Sequence, residues 1–234
     1  MLRLHGQHLP VQTLERSLAE GRLHHAYLFA GPAHLGKTTL AVQFAQALNC
    51  DADDSPCGVC PGCTRIAEGN HADVRFVSLG ENTASIGIEA VRDIINSAHL
   101  RPYEGRTRVF IITEADLLTR DAANALLKVL EEPPDDVVLI LVGVSLDNLL
   151  PTVRSRCQTL YFRPLPVQAV NRILRDEHGV SEEQAEVLAR LSRGCVGWAI
   201  AATGDDRLYA SVHQRIEQIV DAIDGGLEER FAYA

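Results

Sequence analysis

Residues 25–48 read HAYLFAGPAHLGKTTLAVQFAQAL, and this stretch decides the fold of the chain. An apolar strand leads into a glycine-rich loop, and a helix begins near Lys37. The loop matches the pattern G-x-x-x-x-G-K-[ST], which is specific when a strand precedes it and a helix follows it. The match predicts a P-loop that binds ATP or ADP, formed by Gly31, Pro32, Ala33, His34, Leu35, Gly36, Lys37, Thr38 and Thr39.

The residue types in this loop follow from the chemistry of phosphate binding. Gly31 and Gly36 let backbone N–H groups face the phosphates, and the positive end of the following helix adds to the attraction. The Lys37 ammonium reaches the β- and γ-phosphates, and the Thr38 hydroxyl joins the coordination shell of Mg²⁺. The alternative is a loop that has been retained without binding a nucleotide.

Short apolar segments alternate with amphipathic ones over the first two thirds of the chain, which predicts an α/β fold with a parallel, doubly wound sheet. The predicted strands are 27–30, 74–78, 108–112, 137–142 and 158–162, and the predicted helices are 10–20, 37–48, 86–98 and 119–131. After residue 166 the strand pattern stops and the sequence is helical throughout. The pattern therefore predicts a second, small, all-helical domain.

Composition excludes several classes of protein. The 234 residues suffice for one large domain and a small one, and 46% hydrophobic with 23% charged residues is typical of soluble globular proteins. A net charge of −9 argues against a protein that grips nucleic acid over its whole surface. The interrupted N-terminus does not resemble a signal peptide, and the apolar run at 137–144 is too short to cross a bilayer. We therefore predict a cytoplasmic protein without membrane contact.

Four cysteines, Cys50, Cys57, Cys60 and Cys63, fall within fourteen residues. In a chain without a signal peptide this spacing favours a metal site over disulfides. Four thiolates satisfy a tetrahedral zinc ion and leave no open position, so the predicted Zn²⁺ is structural. A cluster of free surface thiols is the alternative.

The stretch RVFIITEADLL at 108–118 ends like the metal-holding strand of a P-loop ATPase, with one exception. Thr113 stands where an aspartate that binds Mg²⁺ is expected. Glu114 remains and is the candidate for orienting an attacking water. Because Thr113 carries no charge, we predict nucleotide binding with very weak hydrolysis.

The P-loop, the cysteine insert after its helix, TRDAANALLKVLEEPP at 119–134 and LLPTVRSRC at 149–157 resemble the bacterial DNA polymerase III clamp loader. This family consists of AAA+ proteins that form a five-membered ring and open the sliding clamp on primed DNA. The resemblance covers about residues 5–208. It implies an AAA+ P-loop domain at 1–165 with a zinc-binding insert at 50–63, and a helical lid domain at 166–208. It also implies the start of a truncated helical collar at 209–234, either because the chain is a fragment or because it is a short member.

Two subunit types of this family carry the cysteine insert: the ATP-hydrolysing gamma/tau type and the delta-prime type. Gamma/tau usually has D-E-V-H where this chain has Thr113-Glu114-Ala115-Asp116. By the same resemblance, the sensor-1 position falls around Gly143, and Trp198 replaces the sensor-2 arginine. These departures favour delta-prime. An active gamma/tau-type ATPase and a zinc-bearing interaction module with a vestigial P-loop are the alternatives.

By resemblance, Arg156 is an arginine finger that reaches the γ-phosphate of ATP on the adjoining subunit. The alternative is that Arg156 pairs with a carboxylate of its own chain. The resemblance further implies gamma/tau and delta subunits, the sliding clamp and, through the assembled complex, primed DNA as partners. The chain would act as a part of the DNA-directed DNA polymerase III holoenzyme.

Overall fold

The structure is a computed structural model, which describes residues 1–80, 83–204 and Gln214. The chain divides into two compact units, Met1–Arg163 and Pro164–Ala234. We predicted the lid domain to begin at residue 166, two residues after the start of the second unit. The collar segment predicted at 209–234 lies, apart from Gln214, outside the described residues.

The first unit is built on a five-stranded parallel sheet. Its strands are β1 (Ala26–Ala30), β2 (Val74–Val77), β3 (Arg108–Ile112), β4 (Val137–Gly143) and β5 (Gln158–Tyr161). Their order across the sheet is β2-β3-β4-β1-β5. The predicted α/β fold with a parallel sheet is confirmed, and each predicted strand agrees with the structure to within one residue at either end.

Burial explains why these strands are visible in the sequence. Every residue of β1, β3 and β4 is buried, so each reads as a continuous apolar run, as in parallel sheets covered on both faces. In the sheet Leu28 lies beside Leu141 on one side and Thr159 on the other. The carboxyl ends of neighbouring strands therefore lie at one edge of the sheet, where the P-loop begins.

The helices of this unit are α1 (His8–Ala19), α2 (Lys37–Asn49), α3 (Pro61–Ala67), α4 (Ile88–Ala98), α5 (Arg120–Glu131) and α6 (Pro151–Arg154), with a 3₁₀ turn at Ala115–Leu117. The four predicted helices are confirmed with ends shifted by up to two residues. At the start of α5 the Thr119 hydroxyl accepts the Ala122 N–H. The sequence pattern did not indicate α3, a seven-residue helix within the cysteine insert.

The second unit is helical, as predicted, with α7 (Val167–His178), α8 (Glu182–Leu191) and α9 (Val196–Thr203). The Ser181 hydroxyl accepts the Gln184 N–H at the start of α8, and Gly179 ends α7 in the left-handed conformation. Its core includes Val170, Leu174 and Leu188. Across residues 1–80 and 83–204 no helix has both the length and the apolar character needed to cross a bilayer.

Candidate nucleotide and metal sites

The predicted P-loop connects β1 to α2, and two of its glycines are required by geometry. Gly31 has φ +148°, and a Cβ placed there would lie 2.4 Å from the backbone carbonyl oxygen of Phe162. Gly36 caps the N-terminus of α2 with φ +79°. The Gly31 N–H donates to the Gly143 carbonyl at 3.3 Å, which places the start of the loop at the end of β4. Both glycines thus adopt backbone conformations that a larger side chain would strain or block.

The Lys37 side chain lies against the backbone at the start of this loop. Its side chain is almost fully buried, with 6% relative exposure of the residue. The ammonium donates to the carbonyl oxygens of Gly31 at 2.6 Å and Pro32 at 2.5 Å. These contacts hold a positive charge beside the loop amides, where a phosphate would be attracted to both.

The remaining loop residues differ in their solvent exposure. Leu35 is completely buried and fixes the loop to the core, whereas Pro32, Ala33, His34, Thr38 and Thr39 are exposed. Helical hydrogen bonding starts when Leu40 donates to the Gly36 carbonyl. The amides of the first turn have no carbonyl within the helix to bind, and they form the usual anion site at a helix N-terminus. The residues present therefore fit a nucleotide phosphate.

Gln7, which directly precedes α1, supports the chain segment that borders the P-loop. Its residue is buried, with 3% relative exposure. The side-chain amide donates to the Arg163 carbonyl at 2.8 Å and accepts the Arg163 N–H at 3.1 Å. This pair of bonds ties the N-terminal segment to the chain directly after Phe162, whose carbonyl borders Gly31.

The end of β3 carries Thr113, which stands where a metal-binding aspartate is expected, and Glu114, the candidate for orienting an attacking water. The Thr113 hydroxyl donates to Glu114 Oε2 at 2.5 Å, and the Thr113 N–H donates to the Val77 carbonyl at 2.9 Å. Glu114 also accepts the Leu79 N–H at 3.4 Å. The position that holds the metal in an active ATPase therefore contains an uncharged hydroxyl engaged with its neighbour's carboxylate.

Asp116 forms a second contact that sequence analysis missed. Its Oδ1 accepts the Val144 N–H at 3.1 Å, just after β4. A Cβ on Gly143 would lie 3.1 Å from the same carboxylate oxygen. Asp116 and Gly143, two positions that differ from the sequence pattern expected of an active ATPase, are thus neighbours in the structure. No local sequence signal could show this, because the two residues belong to different strand ends.

The structure brings the four predicted metal ligands together. The sulfur atoms of Cys50, Cys57, Cys60 and Cys63 all lie within 4.8 Å of one another. The Cys57 and Cys63 sulfurs are 4.0 Å apart, close to the spacing of about 3.8 Å that follows from tetrahedral Zn–S bonds of about 2.3 Å. The Cys60 N–H points to Cys57 Sγ at 3.3 Å, and the Cys63 N–H points to Cys60 Sγ at 3.4 Å. The donor set and its spacing fit Zn²⁺.

The thiols of this cluster differ in acidity. Backbone amides of Val59 and Cys60 lower the pKa of Cys57 to about 6. Burial raises the pKa of Cys63 to about 12. Burial also raises the pKa of Cys50, but the amides of Cys57 and Ala52 outweigh it and the net pKa is lowered. A thiolate is therefore already favoured at Cys57, and a bound cation would favour it at the others.

Buried polar side chains connect this insert to the loop before β3. Asn49, directly before Cys50, accepts the N–H groups of Arg106 at 2.9 Å and Thr107 at 3.0 Å. Asp73 is completely buried and accepts three N–H groups from the same loop, those of Tyr103, Glu104 and Gly105. Its other partner is the Arg108 guanidinium at 3.1 Å. The sequence pattern did not indicate these residues.

The predicted finger, Arg156, lies between α6 and β5. Its Nη2 is 2.8 Å from Glu131 Oε1, and its Nη1 donates to the Thr152 carbonyl at 2.9 Å. The alternative raised from the sequence, a pair with a carboxylate of its own chain, is thus present. The pair lies at the surface, since the Arg156 and Glu131 side chains are 36% and 50% exposed.

In the second unit, Trp198 is partly buried against the helical core.

The sheet order, the P-loop and the helical second unit define the class of P-loop AAA+ proteins. The fold is similar to the RuvB Holliday junction branch migration motor of Thermotoga maritima, with TM-score 0.58 and 23% identity over 90% of this chain and 64% of that chain. It is also similar to a DNA polymerase III gamma subunit-related protein of the same organism, with TM-score 0.56 and 22% identity over 78% of this chain and 57% of that chain.

The family model described as DNA polymerase III, delta subunit, matches residues 6–166, and the chain belongs to this clamp-loader family. The chain is 35% identical over 231 residues to the tau subunit of Escherichia coli, covering 96% of this chain. It is also 35% identical over 218 residues to the delta′ subunit of Bacillus subtilis, covering 88% of this chain. The matched parts are 35% of the tau subunit and 64% of the delta′ subunit.

Proposed function

We propose that this chain is a delta-prime-type subunit of the DNA polymerase III clamp loader. It binds ATP or ADP, hydrolyses ATP very slowly, and supplies Arg156 to the ATP site of the adjoining subunit. In this way it helps the assembled complex to load the sliding clamp on primed DNA. The observation that carries the proposal is Thr113, which stands at the metal-binding position with its hydroxyl on Glu114 at 2.5 Å.

Slow hydrolysis follows from the missing charge. An aspartate at the end of β3 would help hold Mg²⁺, which neutralises charge that develops on the phosphates. Losing one preorganised group at such a site commonly raises the barrier by about 3–4 kcal/mol. Gly143 offers no side chain on the γ-phosphate side, and its Cα is bordered by Asp116. Two positions of the same site thus support the same conclusion.

Nucleotide binding uses residues whose geometry is suited to it. The Lys37 ammonium would exchange the carbonyls of Gly31 and Pro32 for phosphate oxygens, with the loop amides contributing further donors. Thr38, exposed at the first turn of α2, would contribute its hydroxyl to the shell of Mg²⁺. The metal ion would supply charge neutralisation when it is bound with the nucleotide.

Turnover by the isolated chain tests the first part of the proposal. We expect ATP hydrolysis below about 10⁻² s⁻¹, with nucleotide binding retained. Lys37→Ala is the matched control, because it removes the phosphate-binding ammonium. Brisk hydrolysis that disappears in Lys37→Ala would contradict the proposal and favour a gamma/tau-type ATPase.

The role of Arg156 follows from the chemistry of its side chain. A guanidinium is permanently charged and presents a planar fork that can bind two phosphate oxygens at once. Within the described part of the chain, the guanidinium donates one hydrogen bond, to the Thr152 carbonyl, and forms one ion pair, with Glu131. The remaining donors and the exposed position support a contact with a neighbouring subunit.

A reconstituted clamp loader tests the finger. The P-loop lysines of the other ATPase subunits are replaced by alanine, so that only the ATP site adjoining this chain turns over. Arg156→Ala is expected to slow that site by about 10³-fold. Arg154→Ala, which removes a cation two residues away that bonds to the Leu146 carbonyl, is the control. Unchanged turnover in Arg156→Ala would refute the proposed role.

The second candidate function is an ATP-hydrolysing gamma/tau-type subunit. It is favoured by the 35% identity to the Escherichia coli tau subunit over 231 residues. It requires efficient turnover from a site with Thr113 and Gly143, and the turnover measurement separates the two candidates. A complete absence of nucleotide affinity would instead favour an interaction module with a vestigial P-loop.

We further infer that Cys50, Cys57, Cys60 and Cys63 hold one structural Zn²⁺. The support is a set of four sulfurs within 4.8 Å of one another and the absence of any open position in a four-thiolate shell. Elemental analysis should give one zinc per chain, and Cys60→Ser should lower that content. Zinc-free protein of unchanged stability would contradict a structural metal.

We propose that the chain acts in the cytoplasm, because the proposed function requires it to take part in replication there.

A further inference from the structure

Arg156 is held in place by a carboxylate of its own chain, and we infer from this contact that Glu131 is a positioning residue for trans catalysis. Glu131 fixes one edge of the Arg156 guanidinium and leaves the other N–H groups for a phosphate of the adjoining subunit. The inference rests on the proposed function, in which Arg156 acts as the finger.

Two contacts orient the guanidinium. Glu131 Oε1 lies 2.8 Å from Nη2, and the Thr152 carbonyl accepts from Nη1 at 2.9 Å. Because a guanidinium is planar, two anchors on two of its nitrogens define the direction of the whole group. The donors that these anchors do not use lie in the same plane and are oriented with it. Among residues 1–80 and 83–204, Thr152 and Glu131 are the only residues with which the guanidinium forms a hydrogen bond or an ion pair, so further donors are left for an external oxygen.

The anchors belong to rigid elements. Glu131 is the last residue of α5, whose end is determined by Pro133 shortly after it. Thr152 belongs to α6, and α5 packs against α6. The direction of the finger is therefore set by the ends of two packed helices and not by the loop alone.

The placement of Glu131 is unusual for a helix. A carboxylate in the last turn faces the negative end of the helix dipole, which is unfavourable unless a cation lies close by. Arg156 provides that cation. Glu132, the next residue, is also acidic and exposed. The pairing is thus specific to one of two adjacent carboxylates, which provides a matched control.

Because the pair is exposed, we infer that Glu131 orients the Arg156 guanidinium and does not make it inaccessible to a phosphate. Side chains that are 36% and 50% exposed form an ion pair that water and salt weaken. Such a contact can restrict the rotamers of the Arg156 side chain and still allow the guanidinium to bind the phosphates of a nucleoside triphosphate. Restricting the side chain beforehand lowers the entropy lost when the finger engages the phosphate.

The test uses the reconstituted loader in which only the adjoining ATP site is active. Glu131→Ala is expected to lower kcat at that site about two- to fivefold, the range for an exposed pair, with KM for ATP unchanged. Glu132→Ala, which removes the same charge one residue away, should leave kcat unchanged. In an Arg156→Ala background, Glu131→Ala should have no further effect, because coupled residues are not additive.

The outcomes separate the inference from the proposed function. If Arg156→Ala slows the site but Glu131→Ala behaves like Glu132→Ala, the inference is wrong and the finger stands. The inference is also overturned if Glu131→Ala raises kcat, or if it lowers kcat further without Arg156. If Arg156→Ala itself has no effect, the finger and the inference both fail. Thermal unfolding and assembly stoichiometry of each variant show whether α5 is intact.

Discussion

At the scale of single residues, positions that differ from the sequence pattern of an active ATPase lie next to one another. Asp116 accepts the Val144 N–H at 3.1 Å and lies 3.1 Å from where a Cβ of Gly143 would be. A polar side chain at 143 would therefore meet the Asp116 carboxylate and disturb its bond to Val144. Thr113 and Glu114 form a similar couple through their short hydrogen bond. Restoring one catalytic residue alone would disturb its neighbour.

Gly31→Ala should damage both stability and nucleotide binding. Its Cβ would lie 2.4 Å from the Phe162 carbonyl oxygen, and φ is +148°, so backbone atoms must move. We expect the free energy of unfolding to fall by about 2–3 kcal/mol, measured by urea titration. Gly87→Ala is the control, because no heavy atom lies within 4 Å of its added Cβ. Equal losses of unfolding free energy in the two variants would show that the Phe162 carbonyl does not prevent a side chain at position 31.

At the scale of elements, the cysteine insert and the loop before β3 behave as one hydrogen-bonded unit. Asp73 and Asn49 accept five N–H groups from residues 103–107. Arg65 and Arg106 add ion pairs to Glu104 and Asp51. The loop leads directly into β3, whose carboxyl end carries Thr113. A structural metal bound at the insert would therefore also support the strand that ends at the proposed nucleotide site.

Asp73→Asn should destabilise this unit more than an exposed carboxylate change does. Removing one partner of a buried pair costs about 3–5 kcal/mol, whereas Asp51→Asn, in an exposed pair with Arg106, should cost less than about 1 kcal/mol. Chemical unfolding of both variants provides the measurement. Similar losses in both would mean that Asp73 is not the anchor of the loop.

The same substitution should alter the dependence of stability on pH. Burial alone would raise the pKa of Asp73, but the amides of Glu104, Gly105 and Tyr103 and the Arg108 guanidinium outweigh it and hold the pKa below its usual value. A lowered folded-state pKa gives stability that is complete above the unfolded value of about 3.9 and is lost as the pH falls through the folded value. Asp73→Asn should therefore flatten the stability curve below about pH 4.

At the scale of the whole molecule, ligand binding and folding are linked. The chain consists of two compact units, and the nucleotide loop belongs to the first. A nucleotide that binds only the folded state stabilises it by about 2.7 kcal/mol at a hundredfold excess over Kd. Stability thus reports nucleotide binding even where hydrolysis is too slow to detect.

We therefore expect ATP and ADP, each with Mg²⁺, to raise the unfolding temperature of the full chain. The shift should be about 2–4 °C for each 1 kcal/mol of stabilisation in a chain of this size. Lys37→Ala should lose the shift, whereas Arg156→Ala should keep it, because the proposed role of Arg156 is at the ATP site of a neighbouring subunit. An identical shift in Lys37→Ala would place the nucleotide elsewhere than in the P-loop.

The sequence by itself determined where the five strands and most of the helices lie along the chain, together with the P-loop motif and the cysteine cluster. Fully buried strands such as β4 read as unbroken apolar runs, and the residues of each motif lie within fourteen positions of one another. Local spacing is enough to recognise such features, because the groups that act together are neighbours in the chain.

Only the tertiary structure decided which distant residues meet. The contacts of Asp116 with Val144, Arg156 with Glu131, and Asp73 with the loop at 103–105 join residues from separate elements. Sheet order and strand register bring these elements together, and neither leaves a signal in the spacing of the residues concerned. The candidate residues of each site could therefore be predicted from the sequence, whereas their supporting contacts depend on how the helices and strands pack.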